Sequence, residues 1–573
     1  MADLMEQGMD ARVLSATTAG SVVVTTEDRK RAGDRLRVRA ARARGRSPLL
    51  LWLLVGPGIL TIIGENDGPS MISYAQTGAQ FGVGFFLPFI AALFFMAYIV
   101  QEMTVRLGAA THRGHAAMIF DRFGPFWGWF SLGDLALGNF LTLITEFIAV
   151  RAGLGYFGVP PAVAVLGALL LIVAATASRR YWTWERLALG LAAFNLLFVP
   201  AALLAHPHWG AIGRSFLTWG PLPGGVTNGV ILLLLSNIGA TVTPWMLFFQ
   251  QSATADKGLT RADVRQGRID TAAGALLAAI TAIAVVVATA PLFATGIKAS
   301  SFQGADFAQA LRPLIGNVGA TLFALGIFEA GLLAALTIST SSAYAFGEVT
   351  GRGGSLNRGL REGLPFYTML LGSAAGAAAL VLIPGIPLVY VVLIVNVIAV
   401  LAMPPALVLL VLLVNDREVM GELRSGSLGN IMATLVTLFL VGGGVLYGVT
   451  VIFPTSSANR HGIQRTRRTG CRRSGNTNRA RRATRMCGSR WSPTSSWGRG
   501  GNLTGVASSR RWPAPRCGYC ASTPSSWCSW SSIASCGRST PGASMIGMQG
   551  EVSTTPSHDQ IPHDEHQVDL ARV

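Results

Sequence analysis

Charged residues are scarce in this chain. They make up 13% of its 573 residues, whereas hydrophobic residues make up 51% and the mean hydropathy is +0.46. A composition so poor in charge excludes a soluble multidomain enzyme and is typical of a polytopic membrane protein. We therefore expect the lipid bilayer to surround most of the chain.

Cysteine is missing from the whole hydrophobic part of the sequence. All six cysteines lie between Cys471 and Cys536, so neither thiolate ligands nor disulfides are available to the apolar segments. Cys517 and Cys520 form one C-x-x-C pair, and a single pair without a second at a fixed spacing does not predict a zinc site. We expect no bound cofactor.

Both ends of the chain lack features of folded or exported sequence. Residues 1–47 contain no apolar run, which argues against a cleavable signal peptide, and their basic residues predict a disordered cytoplasmic arm. Residues 454–573 predict a disordered tail, and from Asn459 to Gly550 this tail has no Lys, Asp or Glu although Arg, Ser, Trp and Cys are frequent. A shifted reading frame would give this composition, and a real basic appendage is the alternative. Because the basic residues are localised, they do not predict a nucleic-acid partner.

Apolar segments long enough to cross a bilayer fill residues 48–453, which we interpret as one transmembrane domain. Basic residues are concentrated in alternate loops, which predicts a cytoplasmic N-terminus and an external C-terminus. We expect an integral protein of the bacterial inner membrane. The eleven segments centre on residues 49–80, 84–105, 128–150, 161–178, 185–204, 228–251, 269–293, 318–345, 366–384, 387–413 and 429–453.

The first and sixth segments are interrupted by polar and helix-breaking residues. The first break reads Gly-Glu-Asn-Asp-Gly-Pro-Ser over 64–70, and the second reads Gly-Ala-Thr-Val-Thr-Pro-Trp-Met over 239–246. Irregular backbone survives in a bilayer only where it lines a cavity, and paired breaks in two halves of a chain point to a substrate site. Because five segments separate the breaks, we predict an all-α polytopic fold with an inverted five-plus-five repeat of the LeuT type.

Asp67 is the central candidate ligand of this site. A carboxylate in an unwound membrane segment offers negative charge and a hard oxygen to a cation. The alternative is an ion pair with an Arg from a neighbouring helix, but no Arg or Lys falls at mid-membrane in the sequence. Ser70 can supply a hydroxyl ligand or cap the following half-helix. Thr243 can supply a hydroxyl or bond back to its own helix, and Ala240 can offer a freed carbonyl.

Two more polar residues lie inside apolar segments. Asn396 is the one amide of the tenth segment and either completes a ligand shell or ties two helices together. Glu146 in the third segment either adds negative field to the site or forms part of a gate. The candidate donors are all oxygen atoms, which suits hard dications such as Mg²⁺, Ca²⁺ and Mn²⁺. Small hydroxyls leave room for the waters that Mg²⁺ retains.

These motifs resemble the NRAMP family of divalent-metal transporters over about residues 48–452. The resemblance implies the family's broken-helix fold and a divalent metal as substrate. Its residues are Gly56-Pro57-Gly58 through Asp67 and 78–82 in the first segment, 238–244 with Leu247-Phe248 in the sixth, and 416–422 after the tenth.

The chain also departs from the family pattern. The family's Asp-Pro-Gly-Asn reads Asp67-Gly68-Pro69-Ser70, so the metal-binding Asp is kept and the Asn becomes Ser. Its Met-Pro-His reads Thr243-Pro244-Trp245, a second His falls on Gln250, and its Asp-x-x-Glu reads Leu143-x-x-Glu146. Loss of the thioether removes the preference for soft metals, and loss of two His and one Asp removes groups that relay protons. Both changes are similar to those of NRAMP-related magnesium transporters.

The sequence therefore predicts uptake of Mg²⁺, and also of Mn²⁺, without tight proton coupling. The predicted shell contains Asp67, Ser70, Ala240, Thr243 and Asn396, some of them acting through water, with Glu146 adding charge. A proton-coupled Mn²⁺/Fe²⁺ symporter and an organic-solute symporter on the same scaffold remain open, as does the oligomeric state. We do not expect an enzyme, because no His or Lys base lies near the Ser hydroxyl in the sequence.

Overall fold

The computed structural model describes residues 26–44 and 55–452, apart from short gaps at 179, 223–224, 226, 297–298, 300–301, 303–304, 352–354, 360 and 386–387. The described residues form helices and no strand. The first half contains α1 (Thr26–Ala43), α2 (Pro57–Glu65), α3 (Gly68–Phe81), α4 (Phe86–Thr111), α5 (His115–Phe123), α6 (Pro125–Gly155), α7 (Pro161–Thr176), α8 (Tyr181–Ala192), α9 (Phe198–Leu204) and α10 (Trp209–Thr218). The second half contains α11 (Asn228–Gly239), α12 (Pro244–Lys257), α13 (Val264–Thr295), α14 (Asp306–Val349), α15 (Leu364–Val381), α16 (Leu388–Asn415), α17 (Arg417–Met420) and α18 (Ser427–Ile452). Short 3₁₀ turns cover Ala193–Leu197, Arg261–Asp263 and Gly421–Leu423.

Most of these helices are long and apolar enough to cross a membrane. Nine such spans occur among the described residues, and the shorter apolar helix α7 and the α2–α3 pair correspond to two more of the predicted segments. Three of these spans are composite: α8, a 3₁₀ turn and α9 make the first, α11 with α12 makes the second, and the 3₁₀ turn Arg261–Asp263 with α13 makes the third. The all-helical membrane fold of the LeuT type, which was predicted from the apolar segments and the spacing of the two breaks, is confirmed.

Both predicted breaks are present, and proline explains where the helices restart. Asp67 and Thr243 are the residues that precede α3 and α12, and each of these helices has Pro in its first turn. Proline is tolerated there because its missing N–H would have no partner inside the helix. The second half of each broken segment therefore begins at a fixed place, with its N-terminal N–H groups directed into the break.

Small residues bring the helices around the first break close together. A Cβ added to Gly58 would lie 2.6 Å from the backbone nitrogen of Thr271 on α13, and one added to Gly331 on α14 would lie 2.6 Å from the carbonyl oxygen of Glu146. Lipid offers no hydrophobic drive for helix association, so such close backbone contact is how membrane helices hold together. The break at Asp67 consequently lies between α13 on one side and the α6–α14 pair on another.

The N-terminal region differs from its prediction. Within the expected disordered arm of residues 1–47, Thr26–Ala43 form α1, where Asp34 pairs with Arg180 at 2.7 Å and Lys30 donates to the Asn357 carbonyl at 2.8 Å. The arm was predicted from charge alone, and charge does not reveal such tertiary anchors. The expected tail at 454–573 lies outside the described residues.

Candidate metal site

Asp67 closes the N-terminus of α3. Its Oδ1 accepts a hydrogen bond of 2.8 Å from the Ser70 backbone N–H, and its side chain is 2% exposed. An extended backbone at this position and a carboxylate over the first N–H groups are the geometry of a helix N-cap. Asp67 therefore performs the capping role that the sequence had offered to Ser70. In the described part of the chain, no Arg or Lys forms an ion pair with Asp67, so its expected alternative partner is not found there.

Glu146 lies against the same helix end. From the middle of α6 its Oε2 accepts a hydrogen bond of 3.0 Å from the N–H of Gly68, the residue that follows Asp67. Its Oε1 is buried without a hydrogen-bond partner among the described groups. The N-terminus of α3 thus receives two carboxyl groups at once, and no Arg or Lys among the described residues forms an ion pair with either of them.

Glu65 joins the two breaks. The Thr243 hydroxyl donates to Glu65 Oε2 at 2.7 Å, and the second oxygen of Glu65 is buried with no partner among the described groups. Thr243 therefore does not bond back to its own helix through this hydroxyl. The sequence analysis assigned no ligand role to Glu65, although its position two residues before Asp67 in the same break was a signal that it belongs to the site.

The Ala240 carbonyl is the second bridge between the breaks. It accepts the Ser70 hydroxyl at 2.9 Å and the Tyr74 hydroxyl at 3.2 Å. Tyr74 was not among the predicted site residues, although it lies one helical turn after Ser70 and so shares its face. In this conformation Ser70 and Ala240 satisfy each other. The role of Ser70 and of the Ala240 carbonyl as metal ligands stays a prediction.

Asn396 is positioned differently from the other predicted ligands. Its side-chain amide donates a hydrogen bond of 3.5 Å to the Ser236 hydroxyl, and its backbone carbonyl oxygen lies against Gly239 of α11. No hydrogen bond among the described residues links it to the four ligand candidates at the breaks. The helix-tying alternative accounts for the contact that is present, and its ligand role remains a prediction.

The breaks are closed to bulk water in this conformation. Thr243 is 4% exposed, and the space beside it is a cavity of about 10 Å³ lined by Asn139, Thr142, Trp245 and apolar residues of α6 and α16. Such a volume holds about one water molecule. Within the described residues, no three His, Cys, Asp or Glu side chains converge as a ready metal cluster. A cation held here would rely on paired carboxyl groups with hydroxyl, carbonyl and water oxygens.

Comparison with known proteins gives the family. The family described as "Natural resistance-associated macrophage protein-like" (Nramp) matches residues 58–450. This chain belongs to the Nramp family. The match covers both breaks and every span around them, so the Nramp chain is an integral membrane protein.

Individual relatives agree with this assignment. The chain is 27% identical to the divalent metal cation transporter MntH of Yersinia enterocolitica over 412 residues, which is 68% of this chain and 93% of that protein. It is 28% identical to the protein of the same name from Brucella suis over 298 residues, covering 49% and 64%. Among solved structures, the Eremococcus coleocola manganese transporter superposes with a TM-score of 0.58 at 20% identity over 71% of this chain and 89% of that one. That similarity shows the shared fold.

Proposed function

We propose that this Nramp protein transports divalent cations, foremost Mg²⁺ and also Mn²⁺, into the cell without tight proton coupling. The names of its relatives support the divalent-cation part of the proposal. The single observation that carries the Mg²⁺ part is the hydroxyl of Thr243, which occupies the second break and bonds to Glu65 at 2.7 Å. With a hydroxyl at this position, the candidate metal ligands described at the two breaks all bind through oxygen atoms.

The ligand chemistry follows from these donors. Asp67 is the principal ligand of the proposal, with Ser70, Thr243 and the Ala240 carbonyl contributing directly or through water. Hard oxygen donors suit Mg²⁺ and Mn²⁺, whereas thioether and thiolate donors select softer ions such as Cd²⁺. Glu146 keeps negative charge beside the site. Because Ser70 and Ala240 bond to each other in this conformation, their coordination of an ion has to replace this hydrogen bond.

The membrane potential is a sufficient driving force. In a bacterial plasma membrane that is negative inside, a dication gains about 4–5 kcal/mol per 100 mV on entry. Histidine, the side chain that titrates most readily near neutral pH, is replaced at the break by Trp245 and farther along α12 by Gln250. Uptake therefore needs no co-transported proton in this proposal.

A flux assay in liposomes tests the proposal. Purified protein is reconstituted, an inward-negative potential is imposed, and uptake of Mg²⁺, Mn²⁺ and Cd²⁺ is followed with lumenal dyes beside a lumenal pH dye. We expect Mg²⁺ and Mn²⁺ uptake without acidification, and weak Cd²⁺ uptake. Absence of Mg²⁺ uptake would refute the assignment.

Matched variants of Thr243 locate the selectivity. Thr243→Met introduces a thioether, so Cd²⁺ uptake is expected to rise relative to Mg²⁺ uptake. Thr243→Ser keeps the hydroxyl and is expected to keep the wild-type ratio. Equal ratios in both variants would show that this side chain does not set the ion preference.

A proton-coupled Mn²⁺ symporter is the second candidate. It is favoured by the buried carboxyl groups of Glu65 and Glu146, each of which has one oxygen without a partner among the described groups and can carry a proton. Lumenal acidification in fixed proportion to Mn²⁺ entry would favour this candidate. Glu65→Gln and Glu146→Gln would then show which carboxyl carries the proton.

A further inference from the structure

A buried acid lies inside the membrane domain but outside the candidate metal site. Glu329, in the middle of α14, is 3% exposed. Its Oε2 accepts one long hydrogen bond of 3.4 Å from the Asn195 amide, and its Oε1 has no partner among the described groups. An ionisable side chain within a membrane span is costly and is retained for a function. The proposed transport mechanism gives Glu329 no role.

The partner of Glu329 lies in an irregular piece of helix. Asn195 belongs to the 3₁₀ turn Ala193–Leu197, which interrupts the span between α8 and α9. A 3₁₀ stretch inside a longer helix often marks a hinge. The turn and α9 both pack against α14, so movement of this hinge would alter the surroundings of the carboxyl group.

The same amide connects Glu329 to the first break. Asn195 donates to the Asn66 carbonyl at 3.2 Å and accepts from the Asn66 amide at 3.2 Å, while the Asn66 amide also donates to the Ala278 carbonyl at 2.9 Å. Asn66 immediately precedes Asp67 in the break. Contacts therefore run from Asn66, the neighbour of Asp67, through Asn195 to Glu329. We call Asn66, Asn195 and Glu329 the α14 acid cluster.

No described charged group compensates Glu329. The 3₁₀ turn, α3, α7, α9 and α15 carry no charged side chain. None of the charged side chains on the other helices that contact α14, nor the imidazole of α5, nor the other charged residues of α14 forms a hydrogen bond or ion pair with Glu329 among the described groups; they are Glu65, His115, Asp121, Arg122, Asp134, Glu146, Arg151, Glu185, Arg186, Asp256, Lys257, Arg265, Arg268, Asp270, Asp306, Arg312 and Glu348. A negative charge on Glu329 would thus be left alone in an apolar interior.

Apolar packing also keeps water away from one side of the cluster. One turn before Glu329, a Cβ on Gly326 would lie 2.6 Å from the Phe198 ring, and Phe198 meets Phe323 edge-on with ring centroids 5.3 Å apart. Burial of an unpaired carboxylate costs far more than burial of the neutral acid. A single proton neutralises the Glu329 carboxylate without any further ligand, whereas a metal ion such as Mg²⁺ needs about six oxygen ligands.

We propose that Glu329 is a proton-binding site separate from the candidate metal site, and that it holds its proton while the α14 acid cluster is closed. When the 3₁₀ turn moves away from α14 and water reaches the cluster, the O–H bond breaks, the proton passes to water and the carboxylate becomes hydrated. Because the cluster includes the residue before Asp67, its opening is coupled to the first break. Protonation of Glu329 thereby favours the closed conformation, and a rise in pH disfavours it.

Coupling of this kind makes transport depend on pH without moving a proton for every ion. Coupling free energies between sites commonly change an equilibrium about 5- to 150-fold. With pH equal on both sides of the membrane, we expect Mn²⁺ uptake to fall about tenfold as Glu329 loses its proton, within that range, because every transport cycle has to return through the closed conformation that proton loss disfavours. Use of Mn²⁺ keeps the test independent of the Mg²⁺ assignment, so the two proposals can fail separately.

Infrared difference spectroscopy and flux at several pH values test the inference on the full-length protein. One component of the carbonyl band of protonated carboxyl groups is expected to be lost in Glu329→Gln and retained in Glu329→Asp, whereas any contribution from Glu65 and Glu146 remains in both variants. The pH dependence of Mn²⁺ uptake is expected to flatten in Glu329→Gln only. Glu362→Gln, which changes an exposed loop acid, serves as the matched control and is expected to behave as the wild type.

Two results would overturn the inference. One is a protonated-carboxyl band that survives unchanged in Glu329→Gln, and the other is a pH profile of that variant identical to the wild type. If Glu329→Gln transports no ion, the infrared band in the absence of flux decides the question, because it requires only a folded protein.

Discussion

Asp67 combines two roles that a pair of substitutions can separate. Its Oδ1 caps α3 through the Ser70 N–H, and its charge faces the candidate metal site. Asn and Asp are about equally good N-cap residues, so Asp67→Asn keeps the cap and removes only the charge. Asp67→Ala removes both. The two variants are therefore expected to agree in metal binding and to differ in the stability of the metal-free protein.

The size of each effect can be estimated. A dication and a carboxylate about 4 Å apart attract each other by about 8 kcal/mol at an effective dielectric constant of about 20, before dehydration offsets part of it. Loss of one member of a buried charge pair typically costs about 3–5 kcal/mol, which corresponds to about 100- to 4,000-fold in Kd. Loss of an N-cap costs about 1 kcal/mol of folding free energy.

Thermal unfolding in detergent, with and without Mg²⁺, measures both quantities, and calorimetry gives Kd. At a Mg²⁺ concentration of about 100 times the wild-type Kd, the wild type gains about 2.7 kcal/mol of stability and Asp67→Asn gains about 0.4 kcal/mol or less. Without Mg²⁺, Asp67→Asn is expected to match or exceed the wild type in stability, because one of the two buried carboxyl groups at the N-terminus of α3 has lost its charge. Asp67→Ala should unfold earlier. Wild-type Mg²⁺ affinity in Asp67→Asn would refute the ligand assignment.

Packing, a buried ion pair and a buried imidazole give three independent stability predictions. Gly68→Ala places a methyl group against α6 and should destabilise the fold by about 1–3 kcal/mol in thermal unfolding, whereas Gly167→Ala, with open space around it, should not. In the wild type the ammonium group of Lys257 lies 2.8 Å from the carboxylate of the fully buried Glu185, and Lys257→Met leaves that carboxylate without its ion-pair partner. We expect Lys257→Met to lower the free energy of unfolding by about 3–5 kcal/mol and a second substitution, Glu185→Leu, to restore most of this loss. Burial lowers the pKa of His115 to about 4 from an ordinary 6.5, so the unfolded chain binds the extra proton between these values. Stability should fall as pH drops from about 6.5 to about 4, by about 3 kcal/mol in all, and His115→Gln should remove this part of the pH profile.

Local sequence was enough to predict the fold. Hydropathy located the spans because a bilayer imposes a length and an apolar composition on each of them. Pro69 and Pro244 located the breaks because proline fixes where a helix can restart. Asp67 was predicted to be the centre of the site because a carboxylate in such a break has few structural explanations, and its role as a ligand stays a prediction.

The partners of the polar groups were decided by the tertiary structure. Thr243 bonds to Glu65, 178 positions earlier, and Asn195 joins Asn66 to Glu329. No pattern in the sequence predicted these pairs, because they depend on how closely α2, α12 and α14 approach in the folded bundle. The arm helix α1 was missed for the same reason.

The sequence by itself determined which segments cross the membrane, where two of them are interrupted, and which oxygen-bearing side chains stand at the interruptions. Only the tertiary structure decided that Asp67 caps its own half-helix, that Ser70 and Ala240 satisfy each other, and that Glu329 stands apart with one amide donor. The reason is physical. Span length and helix breaks are properties of a short stretch of chain in lipid, whereas the partner of a buried polar group is set by distant residues that packing brings within about 3 Å.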